Sequence, residues 1–143
     1  MSDGPVIPFW LLWTDGEGVS RFRRSEITDF HLASMKPPAA PQWQGEVMRS
    51  VSGAMVTVQP VGWVGEWHEN PKPQWIVPLS GRWFVEAMDG TRIEMGPGEL
   101  SFGGDQGCVE KDGRIGHRSG TLGDAPAVLM VVQFEPGRAP DFR

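Results

Sequence analysis

A chain of 143 residues is the size of one domain and can bury a single continuous core, so no second folding unit is expected. Its formal charge of −5 leaves no basic stripe to neutralise phosphates, which sets nucleic acid aside as a partner. The lone cysteine, Cys108, cannot close an internal disulfide or build a structural zinc site, and the absence of tyrosine removes phenolic acid–base chemistry.

The first thirteen residues contain Asp3 and two prolines, with no basic start and only a short apolar stretch, so they predict neither a signal peptide nor a membrane span and the expected setting is the cytoplasm. Phe9-Trp10-Leu11-Leu12-Trp13 reads as a strand, and the turn residues Asp15-Gly16-Glu17-Gly18 send it into a hairpin that returns through Ser20 and Phe22. Residues 31–44 carry Pro37, Pro38 and Pro41, which remove backbone donors and predict an extended, irregular arm. Residues 46–59 are valine-rich and predict one long strand or two short ones. A loop and a strand start follow over residues 61–67.

Trp75-Ile76-Val77-Pro78-Leu79 is a continuous apolar run closed by Ser80-Gly81, and residues 82–88 form a second run, so the two are expected to pair as a hairpin. Asp89-Gly90 favours the left-handed backbone of a tight turn, which pairs residues 91–95 with residues 83–88. After Gly96-Pro97-Gly98 comes a short strand at Leu100-Ser101-Phe102, then a glycine-rich loop over residues 103–116. Residues 126–134 are the clearest strand of the chain, and the tail beyond Pro136 should be loosely held. Nineteen glycines and thirteen prolines spread between apolar runs act as turn punctuation, and the whole reads as all-β.

The order His68, Asn70, Gln74 and Gly81, with six residues between the last two, resembles the first motif of the cupin superfamily, in which two histidines and a glutamate precede that glycine. Here Asn70 stands for the second histidine and Gln74 for the glutamate. Gly90 through Gly96-Pro97-Gly98-Glu99-Leu100 resembles the start of the second motif, whose later histidine would be His117. Trp67-His68-Glu69-Asn70-Pro71-Lys72-Pro73-Gln74, then Leu79-Ser80-Gly81, Asp105 and Gly113-Arg114-Ile115-Gly116-His117, is similar to one bacterial cupin subgroup whose members mostly have no assigned activity. The pattern Asp15-Gly16-Glu17-Gly18-Val19-Ser20-Arg21-Phe22 is loosely similar to the same subgroup, with Arg21 where that subgroup often has histidine.

The resemblance covers about half the chain and implies a cupin double-stranded β-helix, a jelly-roll barrel, as one domain over residues 1–143 with an N-terminal strand and proline-rich arm in residues 1–45. It also implies a metal site at His68, Gln74 and His117, with His68 and His117 as the catalytic pair and a divalent transition metal (zinc, nickel, manganese or iron) as cofactor. Glutamine is neutral, so such a site would hold its ion weakly and leave open positions, which suits lyase, isomerase or hydrolase chemistry on a small polar molecule. A cupin dioxygenase is an alternative, although Asn70 withholds the third strong ligand that oxygen chemistry at iron usually needs.

The same residues also fit a metal-free pocket that binds a small ligand through hydrogen bonds, or an acid–base isomerase with one histidine as base. His31 on the arm reads as a solvent-facing residue, and alternation turns Glu66, Glu69 and Arg118 away from the site. Lys111 and Arg114 read as solubilising loop residues, Asp105 as a residue that orders the loop carrying His117, and Cys108 as incidental. Trp63, Trp67, Trp75 and Trp83 are expected in the core or the barrel wall. Exposed sheet edges and apolar faces of a barrel this small predict a homodimer, with no membrane partner.

Overall fold

In the computed structural model, which describes residues 4–47, 50–137 and 142, every regular element is a strand. Chain order is β1 (Ile7–Thr14), β2 (Ser20–Ile27), β3 (Phe30–Ala33), β4 (Gln42–Gly45), β5 (Val51–Gln59) and β6 (Gln74–Ser80). There follow β7 (Arg82–Ala87), β8 (Arg92–Met95), β9 (Leu100–Gly104), β10 (His117–Leu122) and β11 (Ala127–Phe134). They form a six-stranded sheet in the order β2-β1-β9-β6-β11-β5, a three-stranded sheet β10-β7-β8 and a separate two-stranded ribbon β3-β4. Among the described residues no helix is long and apolar enough to cross a membrane.

The first hairpin forms where the turn residues put it. The Asp15 side chain accepts hydrogen bonds from the amides of Glu17 and Val19, and β1 then pairs with β2 from Thr14 opposite Ser20 to Ile7 opposite Ile27. Arg21 donates to the other Asp15 oxygen at 2.8 Å, and this bond leads the causes that bring the Asp15 carboxyl down to about 2. The Asp89-Gly90 turn likewise returns β8 onto β7, with Trp83 opposite Met95.

Two expectations are corrected. The runs on either side of Gly81 do not pair: β6 lies between β9 and β11 in the large sheet, and β7 lies between β10 and β8 in the small one. Gly81 has φ of 73°, and a Cβ built there would stand 2.1 Å from the Pro126 carbonyl oxygen, so the turn passes the chain from one sheet to the other through a space only glycine fits. Gly81→Ala should therefore cost about 2–4 kcal/mol, measured by urea unfolding, because left-handed strain and a backbone clash add.

The proline-rich arm is also more regular than expected, since Phe30–Ala33 and Gln42–Gly45 pair antiparallel and only the stretch around the cis Pro37-Pro38 bond is irregular. The tail lies mostly outside the described residues, but Phe142 is held: its ring packs 5.0–5.6 Å from those of Phe9, Trp75 and Phe102.

Two apolar cores result. One fills the space between the sheets, with Leu12, Ile76, Leu129 and Val131 from the large sheet against Trp83, Val85 and Met95 from the small one. The other lies on the outer face of the large sheet, where Phe9, Trp75, Phe102 and Phe134 pack under Val47 and Phe142. Phe9 and Phe134 are fully buried, so truncating either removes contacts worth about 3–5 kcal/mol. The strand alternation that creates the inner core also aims Gln74, between Trp75 and the turn at Pro73, into the gap between the sheets.

Candidate functional site

His68 lies outside the regular strands, in the loop that follows β5, yet it is paired to the first residue of β10. The amide of His68 donates to the carbonyl of His117 and the amide of His117 to that of His68, both at 2.9 Å. Residues that exchange both backbone bonds sit directly opposite and send their side chains to the same face. The two imidazoles accordingly lie side by side, ring centroids 4.8 Å apart. His117 is buried and His68 is exposed, so the pair runs from the interior to the mouth of one cavity.

Gly116 permits the approach: its φ is 67°, and a Cβ on it would stand 2.2 Å from the carbonyl oxygen of His68. Fully buried Ser20 anchors the same point, donating to the Gly116 carbonyl at 2.6 Å and accepting from the Met88 amide at 2.8 Å.

Each ring has one nitrogen tied to the protein. His68 Nδ1 donates to the Glu66 carbonyl at 2.7 Å, and His117 Nδ1 donates to Asp105 Oδ2 at 2.7 Å. These bonds fix the proton at Nδ1 of each ring, so that in the neutral form the Nε2 lone pair is free. Asp105 is fully buried, and its other oxygen accepts from both the backbone amide and the side-chain amide of Asn70, each at 2.9 Å. Burial pushes the Asp105 carboxyl up, but the hydrogen bond and charge of His117 and the two bonds from Asn70 outweigh it and hold the carboxyl below its ordinary value. Asn70 Nδ2 also lies 3.5 Å from His117 Nδ1, but that nitrogen already gives its proton to Asp105, so the contact is not a hydrogen bond.

Gln74 completes the network. Its Nε2 donates to Asn70 Oδ1 at 2.5 Å, and its Oε1 accepts from Gln133 Nε2 at 2.8 Å. The residues His68, Gln74 and His117 do converge, on a cavity of about 310 Å³ that Asn70 shares and that Trp63 and Trp83 wall. Among the described residues no lysine, arginine or carboxylate lines that cavity.

Asn70 is the residue whose importance was least visible in the sequence, where it stood only as a replaced histidine. In the fold it is buried and links Asp105, Gln74 and, through its carbonyl, Gln106. Glu69 points away from the cavity, as alternation predicts, and accepts from the amides of Gly107 and Cys108, which organises the glycine-rich loop. Arg114 and Arg118 both place their guanidinium groups over the Trp67 ring, at 5.2 and 5.9 Å. His31 is exposed on the ribbon, away from the site. Cys108 is half-buried beside Thr14, and burial pushes its thiol up, which suppresses thiolate chemistry.

The donor set fits a divalent metal in part. Two imidazoles with Nδ1 restrained by a carbonyl and a carboxylate have the outer-shell bonding typical of ligating histidines. Gln74 Oε1 already serves Gln133 and would ligate through its second lone pair. Among the described residues no three His, Cys, Asp or Glu side chains gather into a metal-holding group, so such a site would consist of two nitrogens and one carboxamide oxygen. Compared with protein-family models and with curated proteins, the chain matches none.

Proposed function

We propose that this chain is a small-molecule protein of the cupin type, a jelly roll in which the cavity between the two sheets receives a small polar organic molecule and His68 and His117 are the working pair. The observation that carries this reading is the mutual backbone pairing of the two histidines, which sets both imidazoles on one cavity with Nδ1 restrained and Nε2 free.

In this reading His68, His117 and Gln74 hold a weakly bound zinc, nickel, manganese or iron ion. When bound, the ion supplies Lewis-acid polarisation of a substrate oxygen or activation of water, the chemistry of lyases, isomerases and hydrolases. Asp105 holds the His117 proton at Nδ1 and keeps the ring in place. Trp63 and Trp83 provide apolar walls that orient the ligand and reduce its hydration. Gln74, tied at both ends, can turn little and so presents one fixed polar edge to the ligand. The single free thiol accords with a reducing cytoplasm.

Metal analysis of protein purified without chelator tests the reading, together with melting curves after adding each of the four ions. The expected result is a bound transition metal and a rise of roughly 6–10 °C at saturating ion, since occupancy at a hundred times Kd adds about 2.7 kcal/mol. No metal and no shift with any ion would refute the metal site. The saturated hydrogen bonding of Gln74 favours a second reading, a metal-free pocket that binds a ligand or uses a histidine as base. Turnover that survives chelator and is lost in a folded His68→Ala protein would establish the catalytic form of it.

A further inference from the structure

A carboxylate accepts hydrogen bonds and donates none, so ionised Asp105 dictates the orientation of each amide linked to it in turn. Asn70 turns Nδ2 to Asp105 Oδ1, which leaves its own Oδ1 facing Gln74. Gln74 must then offer Nε2 to that oxygen, and its Oε1 is left to accept from Gln133 Nε2. The chain Asp105, Asn70, Gln74, Gln133 therefore has one polarity: reversing any single amide would set oxygen against oxygen or N–H against N–H. An amide nitrogen carries two protons, and Asn70 takes one of those on Gln74. The other has no partner among the described residues, although Gln74 is only 8% exposed and lines the cavity.

The cavity wall holds a second unpaired donor. Trp83 is 3% exposed, and its Nε1–H lacks a hydrogen-bond partner among the described residues. Gln59 Oε1, also buried and on a residue that lines the cavity, is an acceptor without a partner among them. Buried polar groups are nearly always paired, so unpaired ones around a cavity mark positions where a ligand supplies the other half. Donors at Gln74 and Trp83 call for an oxygen on the ligand. Acceptors at Gln59 and at the histidine Nε2 atoms call for an N–H or O–H. Because no described lysine, arginine or carboxylate lines the cavity, an ionised ligand would shed its water without gaining an opposite charge there.

From this pattern we propose that the cavity takes an uncharged carbonyl compound that also bears an N–H or O–H group, a primary carboxamide being the simplest, with its carbonyl oxygen accepting from Gln74 Nε2. The inference rests on the reading of the cavity as a small-molecule site, and it names the ligand's chemistry whether or not an ion is held at the histidines. Gln74 acts here as a donor, where an ionised glutamate at the same position could only accept. The apolar surfaces of Trp63, Ile76 and Trp83 suit a flat organic body attached to that group.

Calorimetric titration of the full chain in chelator at about pH 8, above the ordinary histidine range, tests it with probes built on one ring: benzamide, benzoate and benzylamine. Benzamide is expected to bind with a Kd of about 1 mM, and the charged probes at least about tenfold more weakly. In the nitrogen–proton correlation spectrum, a Gln74 side-chain amide proton should move on adding benzamide. Gln74→Glu replaces the donor by a carboxylate and should weaken benzamide about tenfold or more. Gln74→Met, close in volume and lacking the amide, should do the same and serves if the other variant does not fold. A charged probe that binds as tightly as benzamide, or benzamide affinity unchanged in a folded Gln74 variant, overturns the inference and leaves the small-molecule cavity standing. Silence from every probe also overturns it, and the small-molecule reading falls with it only if the metal-dependent melting rise is missing too.

Discussion

Asp105→Ala is expected to be the most damaging polar substitution in the chain, lowering unfolding free energy by about 3–5 kcal/mol, because it strips the partner from a buried donor on His117 and two on Asn70. Urea unfolding followed by tryptophan fluorescence measures it. Asp105→Asn keeps the volume and part of the hydrogen bonding, so its loss should be smaller, and it should change the acid limb of the stability curve.

The sign of that change follows from the carboxyl. Its folded value lies below its ordinary value of 3.8, so between the two the unfolded chain binds more protons. The stability this group contributes is therefore fully present above the unfolded value and is lost as pH falls through the folded one. Wild type should lose stability below about pH 4 more steeply than Asp105→Asn. Parallel acid limbs in the two proteins would mean that His117 and Asn70 do not hold the carboxylate as described.

His68→Ala is expected to do the opposite: little to stability, everything to occupancy. His68 is exposed and its one side-chain hydrogen bond is local, to Glu66, so its removal should cost within about 1 kcal/mol. The same change deletes one of two imidazoles and should abolish the metal-dependent melting rise, a loss of about 2.7 kcal/mol at ion concentrations a hundred times the wild-type Kd. His117→Ala would also abolish that rise, but it strands the Asp105 carboxylate in the core and confounds binding with unfolding. An unchanged metal shift in a folded His68→Ala protein would remove His68 from the metal set. Loss of ligand binding in chelator in the same variant would point to the metal-free pocket.

Local chemistry was readable wherever neighbours in sequence decide the outcome. Asp15 bonds amides two and four residues on, and the glycine of Asp89-Gly90 takes the positive φ its turn requires, so both hairpins were expected and both formed. β11 was equally plain, because a long apolar strand buried on one face and half-covered on the other needs no partner to be recognised. The error at Gly81 has a physical cause. A turn between two apolar runs looks the same whether the chain folds back on its own strand or crosses to a second sheet, and the choice is made by strands β9, β10 and β11, distant in sequence.

The sequence by itself determined an all-β chain and most of its strands, since alternation and turn residues are properties of short stretches, while its resemblance to cupin motifs pointed to His68, Gln74 and His117 as the polar set to follow. Only the tertiary structure decided that Asn70, 35 residues from Asp105 in sequence, would hold that carboxylate under His117, or that Ser20 would anchor Gly116 across 96 residues. It also decided which apolar strand faces would be covered and which left bare. Hydrogen bonds and burial depend on which segments meet, and that meeting is fixed by the packing of both sheets at once, which no single stretch of residues contains.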